Sequence, residues 1–246
     1  MLELLNRAYT LPEAYYDALF DLWAHGEISE VPDYNTWQKE LSMTFCVKRP
    51  LTEPMISGLI PCGPRELEQY RQEVLDGILD FEVARGNWHY TYHMRMADQF
   101  EFITNELKRN PDSRRAVIDV RDKAADMASD SPACLQHIQY FIRGGALHCK
   151  VLFRSNDAVK ATFMNAFALI MLQKRFADEL GVKMGTYTHR ANSFHVYEKD
   201  WPLLEAYIGA IRKGKTNDIH YEGDWKEQME EEKAGIAESI RILQER

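Results

Sequence analysis

Gly144 and Gly145 separate HIQYFIR from LHCKVLFR, two runs rich in the β-branched and aromatic residues that favour strands. Glycine takes positive φ without a Cβ penalty, so both central positions of a two-residue turn are available and the segment folds as a β-hairpin. The turn fixes the register. Ile142 faces Leu147, Tyr140 faces Cys149, and an unbroken ladder sets Cys134 opposite Ser155 and beside Arg154. A guanidinium next to a thiol favours the thiolate, the nucleophilic form of a group whose usual pKa is roughly 8.5. Free cysteine is also among the most buried residue types, so the pattern alone leaves a packed thiol and an activated nucleophile both open.

The rest of the chain supplies the frame for that hairpin. Its 246 residues can bury a sizeable core, and no Pro/Ser/Gly-rich linker, repeat or low-complexity tract divides them, so a single domain over 1–246 is expected. Pro12 to His25, Pro64 to Phe81, Ala97 to Arg109 and Phe163 to Leu180 carry helical periodicity. Glu40 to Val47, Arg115 to Val120 and SFHVY read as strands beside the hairpin. Helices and strands mix without a repeating βαβ pattern, which predicts an α+β fold around a mixed sheet. Residues 224–246 form a charged helix with a thin seam of Met229, Ile236, Ile240 and Leu243, suited to a surface or docking role.

Composition excludes several function classes. The longest apolar run, Phe167 to Leu172, is too short to span a bilayer, and MLELLNRAYTLPEAYY lacks the basic and apolar regions of a secretory signal, so a cytoplasmic protein is expected. Cys46, Cys62, Cys134 and Cys149 show no CxxC or Cys/His cluster, so thiols rather than bridges or metal ligands are expected. A net charge of −8 argues against nucleic-acid binding, but a small anion needs only a few local arginines.

The segment PACLQHIQYFIRGGALHCKVLFRSND, followed by MNAF and SFHVY, resembles the nucleotide-binding centre of the thymidylate synthase and deoxypyrimidine hydroxymethylase family. The matching order starts at YTYHMR, passes DQ and NPDSRR, and ends at HVYEKDW, roughly residues 90–201. Upstream, RELEQY resembles the segment with the family's active-site glutamate and is spelled most like the hydroxymethylase branch. The resemblance implies a large mixed β-sheet covered by helices, a sheet-to-sheet homodimer, a pyrimidine nucleoside monophosphate as substrate and 5,10-methylenetetrahydrofolate as one-carbon donor.

It also implies residue roles. Cys134 matches the thiolate that adds to C6 of the pyrimidine, making C5 a carbon nucleophile. Tyr90 and water organised by Glu66 match the groups that handle the C5 proton. Arg154 and Ser155 match the phosphate pair, and Arg114 and Arg115 the two arginines lent to that phosphate by the other subunit. His195 and Tyr197 match the sugar contacts, and Asp157 the carboxylate on the pterin side. Asn165 matches the base reader; an amide there suits the N3–H and O4 of uracil, where the dCMP-directed branch has aspartate.

The chain departs from the pattern at Leu135 (histidine in the synthase), Ala161 (glycine) and Met94 (tryptophan), and DYNTWQKEL shows no arginine-bearing phosphate loop. It ends in AESIRILQER rather than in an apolar closing segment, which admits water to the intermediate. The expected activity is therefore C5 hydroxymethylation of dUMP or UMP. A divergent thymidylate synthase and a dCMP or CMP hydroxymethylase are the enzyme alternatives, and a nucleotide-binding regulator is the non-enzyme one.

Overall fold

A computed structural model describes residues 1–245 of the chain. The strands are β1 (Glu3–Ala8), β2 (Glu27–Val31), β3 (Thr36–Val47), β4 (Val117–Asp119), β5 (Leu135–Arg143), β6 (Ala146–Asp157) and β7 (Lys183–Tyr197). The helices are α1 (Leu11–His25), α2 (Pro64–Asp76), α3 (Phe81–Ala84), α4 (Tyr92–Met96), α5 (Phe100–Arg109), α6 (Lys123–Met127), α7 (Thr162–Leu180), α8 (Trp201–Arg212) and α9 (Lys226–Glu245). The sheet runs β1-β3-β7-β6-β5-β4, with β2 paired to β3 as a side hairpin. Two pairs, β1/β3 and β6/β7, are parallel and the others antiparallel. This is the expected α+β fold with a large mixed sheet.

Strand periodicity explains the layering. The cross-strand row Phe45, His189, Val151 and Ile138 is buried, while the next row, Leu5, Thr44, Arg190, Leu152 and His137, lies on a face that this chain leaves partly exposed. Helices α1, α5 and α7 pack on the buried side. Each parallel pair needs a crossover, and α1 and α7 supply them. Thr10 and Glu13 close a capping box at the start of α1. α7 is apolar nearly all round because the sheet lies beneath it while α1, α2 and α5 contact its flanks.

Several boundaries differ from expectation. α2 stops at Asp76 rather than Phe81, because Gly77 takes the left-handed conformation and the Asp80 and His93 side chains occupy the space of a Cβ there. β7 extends back to Lys183 and β3 back to Thr36, where the β2 hairpin gives its start a partner. β4 is shorter than Arg115 to Val120. α9 starts at Lys226 after a π turn at Tyr221–Trp225; it buries Met229 and Ile236 against the body but leaves Leu243 40% exposed. Arg246, the last residue of the expected helix, lies outside the described residues. Among the described residues no helix is long and apolar enough to cross a membrane.

Candidate active site

The ends of β5, β6 and β7, the first turn of α7 and the tip of the β2–β3 hairpin surround a cleft of about 680 Å³. Cys134, Arg154, Ser155, Asp157, Asn165, His195 and Tyr197 all line it. Seven of the expected site residues thus share one cavity, although they come from α7, from β6 and β7, and from the loop that leads into β5.

The register at Cys134 differs from the unbroken ladder. Ile142 faces Leu147 and Tyr140 faces Cys149 as expected, but the pairing slips between Leu135, opposite Phe153, and His137, opposite Leu152. The extra residue, Gln136, forms a bulge whose carbonyl accepts from the Val120 and Arg121 amides. Cys134 therefore lies opposite Arg154, not Ser155, and its carbonyl accepts the Arg154 N–H at 2.8 Å. Burial pushes the half-buried thiol above its ordinary pKa, and the Arg154 guanidinium offsets only part of that. Arg154 Nε and Nη2 donate to the carbonyls of Ala133 (3.1 Å) and Pro132 (2.8 Å), which fixes the guanidinium against the loop carrying the thiol. Among the described residues nothing bonds its Nη1.

His195 Nδ1 stands 3.4 Å from Ser155 Oγ, and burial holds the imidazole below its ordinary pKa against the pull of Asp157. Asp157 lines the cleft and also caps a turn, with Oδ1 accepting from Val159 N and Lys160 N at 3.0 and 2.9 Å. The Tyr197 ring meets Tyr34, at the hairpin tip, edge to face with centroids 5.9 Å apart. Tyr34 lies in the DYNTWQKEL segment, so aromatic and polar groups stand at this rim.

Tyr90 lines a smaller cavity of about 280 Å³ that shares Tyr92 with the main cleft and also contains Tyr70 and Glu73. Burial, and then Cys134 nearby, raise the Tyr90 pKa, and the Tyr92 hydroxyl between the two cavities accepts from Leu135 N at 3.4 Å. Burial raises the Glu73 pKa, and a hydrogen bond from Gln69 Nε2 (3.0 Å) opposes the shift. Tyr70 donates its hydroxyl to Asn165 Oδ1. Sequence reasoning singled out neither Glu73 nor Tyr70; the available signal was their three-residue spacing on α2.

Glu66, Arg114 and Arg115 stand apart from the cleft. Glu66 is exposed and its carboxylate accepts from Gly63 N at 2.9 Å, closing the start of α2; it shares a helix face with Tyr70 and Glu73 but stands nearer the N-terminus, where its side chain curls back to the cap. Arg114 and Arg115 occupy the loop between α5 and β4, where the Arg115 side chain is 68% exposed and its Nε donates to Glu106 Oε1 at 3.1 Å.

A buried network supports the cleft floor. His189 lies between Phe45 and Phe153, with centroids 4.7 Å from each. Its Nε2–H donates to Asn156 Oδ1 and Tyr187 Oη–H donates to its Nδ1, both at 2.9 Å. Asn156 lines the cleft and also receives Thr162 Oγ1 at 2.9 Å. Burial lowers the His189 pKa to about 3. Unfolding restores an ordinary value near about 6.5, so the unfolded chain binds the extra proton first as pH falls. This contribution to stability is complete above about pH 6.5 and is lost towards pH 3, by at most about 1.4 kcal/mol per pH unit. Thermal melts from pH 7 to 4 should therefore fall more steeply for the natural protein than for His189→Gln; parallel slopes would remove His189 as the cause.

The thymidylate synthase family model matches residues 65–232. The chain belongs to the thymidylate synthase family. A Methanocaldococcus jannaschii protein named "Putative thymidylate synthase" is 30% identical over 211 residues, covering 81% of this chain and 93% of that protein. A Bacillus subtilis subsp. natto thymidylate synthase is 26% identical over 177 residues, covering 70% of this chain and 62% of that enzyme. The solved thermostable thymidylate synthase A from Bacillus subtilis shares the fold with a TM-score of 0.65 at 17% identity, covering 81% of this chain and 84% of that one. Family membership carries one-carbon transfer to a pyrimidine nucleotide as the chemistry of this chain.

Proposed function

We propose that this protein transfers a one-carbon unit from 5,10-methylenetetrahydrofolate to C5 of a uracil nucleotide, dUMP or UMP, and releases the 5-hydroxymethyl product. The observation that carries the reading is that Cys134, Arg154, Ser155 and Asn165 line one cleft. The Arg154 Nη1 edge and the Ser155 hydroxyl suit a phosphomonoester, His195 and Tyr197 suit sugar hydroxyls, and the Asn165 amide suits the base edge. Cys134 sulfur adds to C6 and C5 becomes the nucleophile. Tyr90 and Glu73, in the adjoining cavity, then receive the C5 proton, the role first expected of Glu66.

The residues present also fit the folate. Beside the cleft, and sharing Tyr34 and Tyr197 with it, Tyr34, Asn35, Thr36, Tyr197 and Lys199 line about 610 Å³ of further space, and Asp157 offers a carboxylate within the cleft itself. When bound, the folate supplies a carbon at the oxidation level of formaldehyde.

The product depends on whether water reaches the activated methylene. α9 lies on α2, held by Arg65 to Glu232 (2.8 Å) and Ser239 (2.9 Å), and none of its described residues lines the cleft. That placement favours hydroxymethylation. The names of the relatives favour a second reading, synthesis of thymidylate. Incubation with dUMP and methylenetetrahydrofolate should give 5-hydroxymethyl-dUMP by mass with no dihydrofolate absorbance. Thymidylate with stoichiometric dihydrofolate would establish the second reading, and a cytosine-only product would transfer the reading to dCMP. Tight nucleotide binding without C5 tritium release would support a regulator.

A homodimer packed through the partly exposed sheet face belongs to the same proposal. Arg114 and Arg115 of one copy would then reach the phosphate of the other. A folate-dependent reaction with free thiols suits the cytoplasm.

A further inference from the structure

We infer that Tyr70 is the specificity-determining partner of Asn165: its hydroxyl, donated to Asn165 Oδ1, holds the amide in the orientation that accepts a uracil edge and rejects a cytosine edge. The inference rests on the proposed nucleotide reading and adds to it a residue that reads the base through another.

The two side chains come from different helices. Tyr70 projects from α2, and Asn165 lies in the first turn of α7, 5% exposed and lining the main cleft. The hydroxyl of Tyr70 donates to Asn165 Oδ1, and among the described residues the Tyr70 proton has no other acceptor. Burial, aided by Glu73, Tyr90 and Cys134, raises the Tyr70 pKa, so the oxygen keeps its proton and remains a donor.

A free asparagine amide reads both pyrimidines, because rotating it by half a turn exchanges its donor and acceptor ends. Uracil offers a carbonyl acceptor at position 4 and a donor at N3. Cytosine offers the reverse, an amine at position 4 and an acceptor at N3. In the observed orientation Asn165 Nδ2 can donate to the uracil carbonyl, and the second lone pair of Oδ1 can accept N3–H. Reading cytosine requires the flipped amide, which sets an N–H donor against the Tyr70 oxygen. Tyr70 would then accept, leaving its own buried proton unbonded. A mismatch of that kind corresponds to about tenfold or more in affinity.

The test is calorimetric titration of dUMP and dCMP into four proteins: natural, Tyr70→Phe, Asn165→Ala and the double variant. The natural protein should favour dUMP by about tenfold or more. Tyr70→Phe should bring the ratio towards one, chiefly by tightening dCMP. In the Asn165→Ala background the same change should leave the ratio unaltered, because the amide it orients is gone. A structural role alone would weaken both nucleotides equally in Tyr70→Phe, and that outcome overturns the inference. Equal affinities in the natural protein overturn it alone, whereas binding of neither nucleotide overturns the nucleotide reading with it. Asn165→Asp gives an independent arm should Tyr70→Phe fail to fold. A protonated carboxyl can donate to N3 from the hydroxyl oxygen that accepts from Tyr70, while its other oxygen accepts from the cytosine amine. That variant should favour dCMP, and retained uracil preference would overturn the inference.

Discussion

Replacing Cys134 with serine should lower turnover by at least about 10³-fold while leaving nucleotide affinity within a few-fold of the natural value. The asymmetry follows from where the contacts are. Phosphate, sugar and base are assigned to Arg154, Ser155, His195, Tyr197 and Asn165, none of which depends on the sulfur, whereas C5 becomes nucleophilic only through a C6 bond to it. A serine hydroxyl is far less acidic and far less nucleophilic in the same half-buried position. Burial already raises the thiol in the ligand-free cleft, so the natural enzyme should gain rate as pH rises above neutrality. Cys149, fully buried opposite Tyr140, is the control, and its alanine variant should keep activity per folded molecule. The inactive protein also reports on assembly. Mixed with inactive Arg115→Ala, it should regain part of the activity through heterodimers that carry one intact site. Substantial turnover by Cys134→Ser would remove the sulfur from the mechanism, and absence of rescue despite proven subunit exchange would remove the shared site.

Legibility of the sequence followed the range of the interactions. The hairpin was readable because Gly144 and Gly145 set its register locally, and it stayed readable as far as His137. Beyond that, the bulge at Gln136 depends on amides from Val120 and Arg121, which no local pattern announces. β1 escaped because its parallel pairing with β3 crosses α1, and a short edge strand carries little alternation. Glu66 shares its face of α2 with Tyr70 and Glu73, and its family match does not reveal that here its side chain turns back to close the cap at Gly63. Tyr70 was not singled out because an aromatic at helical spacing reads as core, and its ring does pack among apolar neighbours while its hydroxyl reaches Asn165. Arg114 and Arg115 are exposed in the single chain, and only the proposed dimer would bring them to a phosphate.

Glu73→Gln should cost about 10²–10⁴ in kcat, with dUMP affinity and formation of the Cys134 adduct retained, whereas Glu66→Gln should change kcat little. The contrast follows from the two environments. Glu66 is an exposed carboxylate closing the start of α2, and glutamine can still accept from Gly63 N through its amide oxygen. Glu73 lies three residues past Tyr70, in the cavity shared with Tyr90 and Tyr92, where burial favours the protonated form and Gln69 moderates the shift. A carboxyl raised towards neutrality can both take and return a proton during a catalytic cycle, which an ordinary surface glutamate at neutral pH does poorly. The glutamine variant keeps shape and the contact with Gln69 but cannot exchange a proton, so the loss belongs to chemistry rather than to packing. The sign of the pH effect follows from the same property. A carboxylate that must accept the C5 proton acts only when ionised, so the natural enzyme loses rate as pH falls through the raised Glu73 pKa, and Glu73→Gln should lack that limb. Rapid-quench trapping of the adduct together with tritium release from C5 separates the steps: adduct without release places the block at proton removal. If Glu66→Gln, and not Glu73→Gln, blocks release, the shuttle returns to Glu66, whose side chain must then leave the Gly63 cap when the nucleotide binds.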